Sequence, residues 1–122
     1  MDNKQRIEIH QLVQDFLKRI NQHDQDALLI HNQVTQDMLE ELYEELNYSF
    51  DSDFDLSIIP IDELPKIMPI NKPLFNIEAM DDGDLIVECN IYNFGKITDL
   101  KFQAYIEYKE SQFTLFYPLF KA

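Results

Sequence analysis

This 122-residue chain is short of cysteine, glycine and basic residues, with one, two and ten of them, and each shortage removes a class of protein. Cys89 alone closes no internal disulfide and supplies no cysteine pair for a metal. Gly83 and Gly95 both sit among turn-forming residues, which leaves no glycine for a phosphate-cradling loop. No apolar run approaches the length of a membrane span or a signal core, and the opening Met1-Asp2-Asn3-Lys4-Gln5-Arg6 is charged. The expectation is therefore a cytoplasmic protein with no membrane partner. The basic deficit, ten residues against 23 acidic, gives a formal net charge of −13. Such a field repels nucleic acid, and Lys96, Lys101 and Lys109 form no basic tract to oppose it. The same field keeps a protein in solution and speeds its encounter with a basic protein partner.

What is present is enough for a packed core. Hydrophobic residues make up 45% of the chain, and its length suits one domain. Ile9, Leu12, Val13, Phe16, Leu17 and Ile20 are separated by steps of one, three and four, which predicts an amphipathic helix over about Asn3–Asn21. After a polar break, Asp24 or Asp26 can cap a short helix over Ala27, Leu28, Leu29 and Ile30. Thr35 can cap a third, with Val34 and Leu39 placed as a hydrophobic staple and Met38, Leu42 and Leu46 continuing the stripe. Glu40, Glu41, Glu44 and Glu45 then face water, either as a solvated surface or as an acidic docking face.

Beyond Phe50 the period falls to two. A strand is expected over about Phe54–Ile61, followed by a proline-bearing loop (Pro60, Pro65, Pro69, Pro73) and four strands joined by short turns. A three-residue loop Asp81-Asp82-Gly83 keeps Phe75, Ile77 and Ala79 on the apolar face, whereas a two-residue turn would place Asn76 and Glu78 there. A Gly95-Lys96 turn sets Leu85, Val87, Cys89 and Ile91 against Ile106, Ala104, Phe102 and Leu100. A Glu110-Ser111 turn sets Phe102, Ala104, Ile106 and Tyr108 against Leu119, Tyr117, Leu115 and Phe113. Pro118, with no N–H to give, marks the last strand as an edge. The result is an α+β domain over residues 1–122, helical over about 3–47 and a curved antiparallel meander over about 53–120, with the helices on the sheet's apolar face.

The other sheet face is polar except for one stripe. The register sets Ile86 opposite Tyr105 and Tyr105 opposite Phe116, and it places Tyr92, Phe94 and Phe120 on the same side. Two readings are open for these residues: an interface, including one with a second copy as a homodimer, or cover by the chain's own first strand or loop.

The search for chemistry ends with no catalytic, cofactor or metal residue assigned. His10, His23 and His31 lack the spacing of a helical metal site, and half-buried or capping roles suit them better than general-base catalysis. Asp51-Ser52-Asp53-Phe54-Asp55 imitates the start of a calcium loop, but Leu56 replaces the required glycine and Asp62 the closing glutamate. Cys89 falls mid-strand on the core face, where a thiol acts as a small hydrophobe. A pocket between helices and sheet would have only His10, His31, Tyr108 and Tyr117 as polar lining.

The run Phe16-Leu17-Lys18-Arg19-Ile20-Asn21-Gln22-His23-Asp24-Gln25-Asp26-Ala27-Leu28-Leu29, followed by long closing hairpins, resembles the opening of the cystatin-like, nuclear-transport-factor-two-like superfamily. The resemblance implies a helix-lined cone, dimers through the sheet, and roles from isomerase to protein docking, including small acidic immunity proteins. The chain departs from that pattern by placing a substantial helix before its first strand and only Ile61 to Pro73 between its first two strands. Two readings follow: a non-enzymatic acidic interaction domain of immunity or regulatory type, or a cone-pocket domain that binds or transforms a small ligand.

Overall fold

The computed structural model describes residues 3–32, 34–51, 53–66 and 74–122. Three helices come first: α1 (Asn3–Asn21), α2 (Gln25–His31) and α3 (Gln36–Phe50). Asp24 Oδ1 accepts from the Ala27 N–H and Thr35 Oγ1 from the Met38 N–H, so both expected caps form. Lys18 and Arg19 close the last turn of α1, where its dipole favours positive charge. The apolar stripe of α1 is fully buried at Ile9, Val13, Phe16, Leu17 and Ile20, and that of α3 at Leu39, Leu42 and Leu46.

The sheet contains β1 (Leu56–Ser57), β2 (Phe75–Ala79), β3 (Leu85–Asn93), β4 (Lys96–Lys109) and β5 (Gln112–Lys121), all antiparallel. Its order is β1-β3-β4-β5, with β2 pairing β3 further along the same edge that β1 uses. The helices pack against this curled sheet as an α+β fold. Phe16, Phe102 and Phe120 stack through the centre, with ring centroids 5.3 Å and 5.4 Å apart. No helix among the described residues is long and apolar enough to cross a membrane.

The turns explain where the expected register holds and where it slips. The Asp81-Asp82-Gly83 loop forms as read: Gly83 takes φ +91°, and Phe75 pairs Cys89. Glu110 and Ser111 both adopt left-handed φ, the geometry of a two-residue hairpin turn, and Ile106 pairs Leu115. The β3–β4 turn is Phe94-Gly95 instead of Gly95-Lys96, because Ile97 pairs Tyr92 beyond an irregularity at Ile91. That displacement is held from outside: the Phe94 N–H bonds the Asp55 carbonyl, and Asn93 Oδ1 accepts from the Asp55 N–H. Leu85, Val87 and Cys89 keep their expected partners.

The second slip changes which face residues occupy. A bulge at Tyr117-Pro118, with Tyr117 at φ +52°, shifts β5 so that Phe102 pairs Phe120 and Gln103 pairs Leu119. Phe120 therefore turns into the core, while Tyr117, expected on the inner face, is 60% exposed. Proline supplies the reason, since it cannot donate to the ladder and is tolerated at an edge bulge. As expected, β5 is an edge strand.

The first strand is two residues long, not the eight of Phe54–Ile61, because its outer edge is taken by side chains of α1. Asn21 Oδ1 accepts from the Leu56 N–H and its Nδ2 donates to the Leu56 carbonyl, both at 2.8 Å. Gln14 Oε1 accepts from the Ile58 N–H at 3.0 Å, and His10 Nε2 donates to the Ile59 carbonyl at 2.7 Å. One polar row of a helix thus closes an edge that would otherwise be open for pairing. The chain then forms a 3₁₀ helix, Ile61–Lys66, where only a loop was expected. The remainder of that loop, 67–73, lies outside the described residues.

Candidate functional site

Among the described residues, the fold's most pronounced grouping is a concentration of acidic charge. From Ile20 to Pro65 the chain has twelve aspartates and glutamates and neither a lysine nor an arginine. Five of these acids, Asp37, Glu40, Glu41, Glu44 and Glu45, lie on α3. With Leu39, Leu42 and Leu46 committed to the core, the glutamates form two rows four residues apart on its outer side. Like charges at that spacing repel, and α3 carries no basic residue to offset them.

This acidic ridge separates two grooves. The one toward α2, about 470 Å³, is lined by Leu39, Glu40, Tyr43, Glu44 and His23. Its aromatic wall is fixed: Tyr43 Oη donates to the Ile20 carbonyl at 2.8 Å, and His23 stacks on the ring at 5.0 Å and 11°. Burial pushes the Tyr43 hydroxyl up to about 12, so it stays a donor at any physiological pH. The second groove, about 390 Å³, lies between Met38, Glu41, Leu42 and Glu45 of α3 and the Tyr117–Phe120 run of β5.

A third cleft, about 650 Å³, follows α1 where it meets β1, and its wall is the polar row that closes the β1 edge. His10 lies beneath it, 4% exposed, with its ring 5.4 Å from that of Phe75. Because Nε2 donates to a carbonyl, the neutral ring leaves Nδ1 as a bare acceptor. That atom is buried and has no hydrogen-bond partner among the described residues. Burial lowers the His10 pKa, outweighing the carbonyl hydrogen bond that raises it.

The four residues considered for an inner pocket do not converge. His10 is locked against Ile59, and His31 is exposed at the end of α2. Tyr108 and Tyr117 are 57% and 60% exposed on the sheet, Tyr108 because it ends β4 beyond the core and Tyr117 because of the bulge. Phe16, Phe75, Phe102 and Leu115 fill the space between helices and sheet instead. Cys89 is buried, and its thiol is pushed up by that burial and by Glu88 beside it, which denies it nucleophilic thiolate.

The sheet's outer face holds part of the expected aromatic stripe. Ile86 pairs Tyr105 and Tyr105 pairs Phe116, as read from the turns. Tyr117 joins them, 6.1 Å from Tyr105 and 5.1 Å from Phe116. Tyr92 and Phe94 do not: six residues of strand, roughly 20 Å, separate Tyr92 from Ile86. Tyr92 is half-buried against the core, and its hydroxyl is raised by desolvation and then by Glu63; Phe94 is exposed in the turn. Between them lies a polar band in which Glu88 meets Lys121 at 2.8 Å and Lys101 at 3.9 Å.

Sequence reading missed the role of Gln14 and Asn21, whose signal is an amide row at helical spacing from buried His10. It also missed the partnership of Glu41 and Glu45 with β5, which no local pattern encodes. No protein-family model, curated protein or solved structure matches this chain.

Proposed function

We propose that this chain is a non-enzymatic interaction domain that holds a basic protein partner against the acidic ridge of α3, in an immunity-type or regulatory role. The observation that carries the proposal is the unbalanced charge of α3, set within a stretch of chain that has twelve acids and no lysine or arginine. A helix that stacks glutamates in rows gives up stability in isolation, and a cationic partner returns it on binding. The two flanking grooves supply concave, partly apolar surface for such a partner. Affinity capture from native lysate at low salt, followed by mass spectrometry, tests the proposal. A basic protein retained at low salt and released at high ionic strength supports it, and failure to enrich one refutes it.

Self-association through the sheet is a second, compatible element of the proposal. The Tyr105, Phe116 and Tyr117 rings lie together on the outer face. The neighbouring Glu88–Lys101–Lys121 cluster makes that region less repulsive than the helical side, so two copies can approach there despite their charge. The sequence resemblance to cystatin-like domains, in which dimers form through the sheet, points the same way.

A further inference from the structure

β5 is an edge strand, and no strand among the described residues pairs with its outer side. The Lys109–Gln112 pair closes a two-residue hairpin, so the residues of β5 alternate from there. Gln112, Thr114 and Phe116 direct their N–H and C=O groups at β4, and Phe113 and Leu115 direct theirs away from it. The bulge at Tyr117-Pro118 interrupts the run, leaving a short open edge over 112–116. At the bulge itself the groove begins that α3 walls with Glu41 and Glu45 and β5 walls with Tyr117 to Phe120. On the opposite side of the sheet β1 is closed by the α1 side chains, and β2, which pairs β3, is the outermost strand and has no acidic groove beside it among the described residues.

We infer that the basic partner engages this site by strand addition: a short extended segment with lysine or arginine at alternate positions pairs with β5 at Phe113 and Leu115. It then runs into the groove, where Glu41 and Glu45 take its cationic side chains. This inference rests on the proposed acidic interaction role and names how that partner is held. Strand addition takes affinity from backbone hydrogen bonds and specificity from every second side chain, which suits an edge flanked by one acidic wall. The same geometry excludes a second copy of β5 as the occupant. The kink and proline shorten the edge, and a β5–β5 pairing would bring two α3 glutamate rows toward one another.

An alternating lysine–valine peptide long enough to span 112–120 is the probe, followed by backbone amide hydrogen exchange and chemical-shift mapping at low salt. The expected result is salt-sensitive binding with about tenfold or greater slowing of exchange at Phe113 and Leu115. The same peptide, N-methylated at alternate amides, should lose that protection, and E41K/E45K should weaken binding of the unmodified peptide at least about tenfold. If the peptide binds but shifts only α3 resonances and protects neither amide, strand addition is overturned and the acidic ridge stands. If it does not bind at all, both readings fail.

Discussion

Replacing Glu44 and Glu45 by lysine should make the isolated protein more stable, because α3 is under internal repulsion. Within Gln36–Phe50 the pairs Glu40–Glu44 and Glu41–Glu45 are four residues apart, and Glu41–Glu44 three. Each such like-charge pair costs about 0.2–0.5 kcal/mol, and the reversed pair gains a similar amount. The acidic member lies N-terminal to the new lysine in all three, the favoured orientation. E44K/E45K therefore swings three pairs by roughly 0.5 kcal/mol each, or about 1.5 kcal/mol at low salt. At about 4 °C per kcal/mol for a chain of this size, Tm should rise by about 6 °C. Thermal unfolding followed by circular dichroism reads this directly, and in about 1 M salt the gap should shrink because exposed charges are screened. An unchanged or lower Tm at low salt, or a difference indifferent to salt, would refute the claim that the ridge holds uncompensated charge.

Three further outcomes follow from the geometry. The folded state holds His10 neutral with a lowered pKa, while the unfolded chain takes the proton near 6.5, so stability is complete above that value and declines as pH falls through and below it. His10→Gln should flatten this slope in urea titrations between about pH 7 and 5, and an equal slope in both proteins would exclude His10 as its source. Asn21→Ala strands the Leu56 N–H and C=O and should cost about 2 kcal/mol, read as a lower urea midpoint; a loss below about 0.5 kcal/mol would mean that water replaces the amide. Tyr105→Glu places a charge between Phe116 and Tyr117 and should shift sedimentation from dimer to monomer, so an identical profile for variant and parent counts against the sheet-face dimer.

Most of the architecture was legible because local chemistry and long-range packing agree. The α1 stripe, the Asp24 and Thr35 caps and the Gly83 loop each specify their own element, and the turns then propagate register along β3 and β4. Two of the failures come from contacts between residues distant in sequence, and the third from a bulge at a proline. Phe94 accepts a left-handed φ because Asp55, 39 positions earlier, bonds its N–H. β1 is short because α1 side chains occupy its edge. At Tyr117-Pro118 the proline announced an edge correctly, but not the bulge that reverses the inward and outward faces after it. The acidic ridge was visible as Glu40, Glu41, Glu44 and Glu45, whereas the groove two of them share with β5 exists only once the sheet has closed beside α3.

The central claim, that α3 is kept acidic in order to hold a basic protein, is tested most directly by parallel capture on two baits, the parent protein and E44K/E45K, from the same native lysate. The account predicts a basic protein on the parent bait at low salt, lost at high salt and absent from the charge-reversed bait although that variant is folded and more stable. The same proteins captured equally by both baits would contradict it.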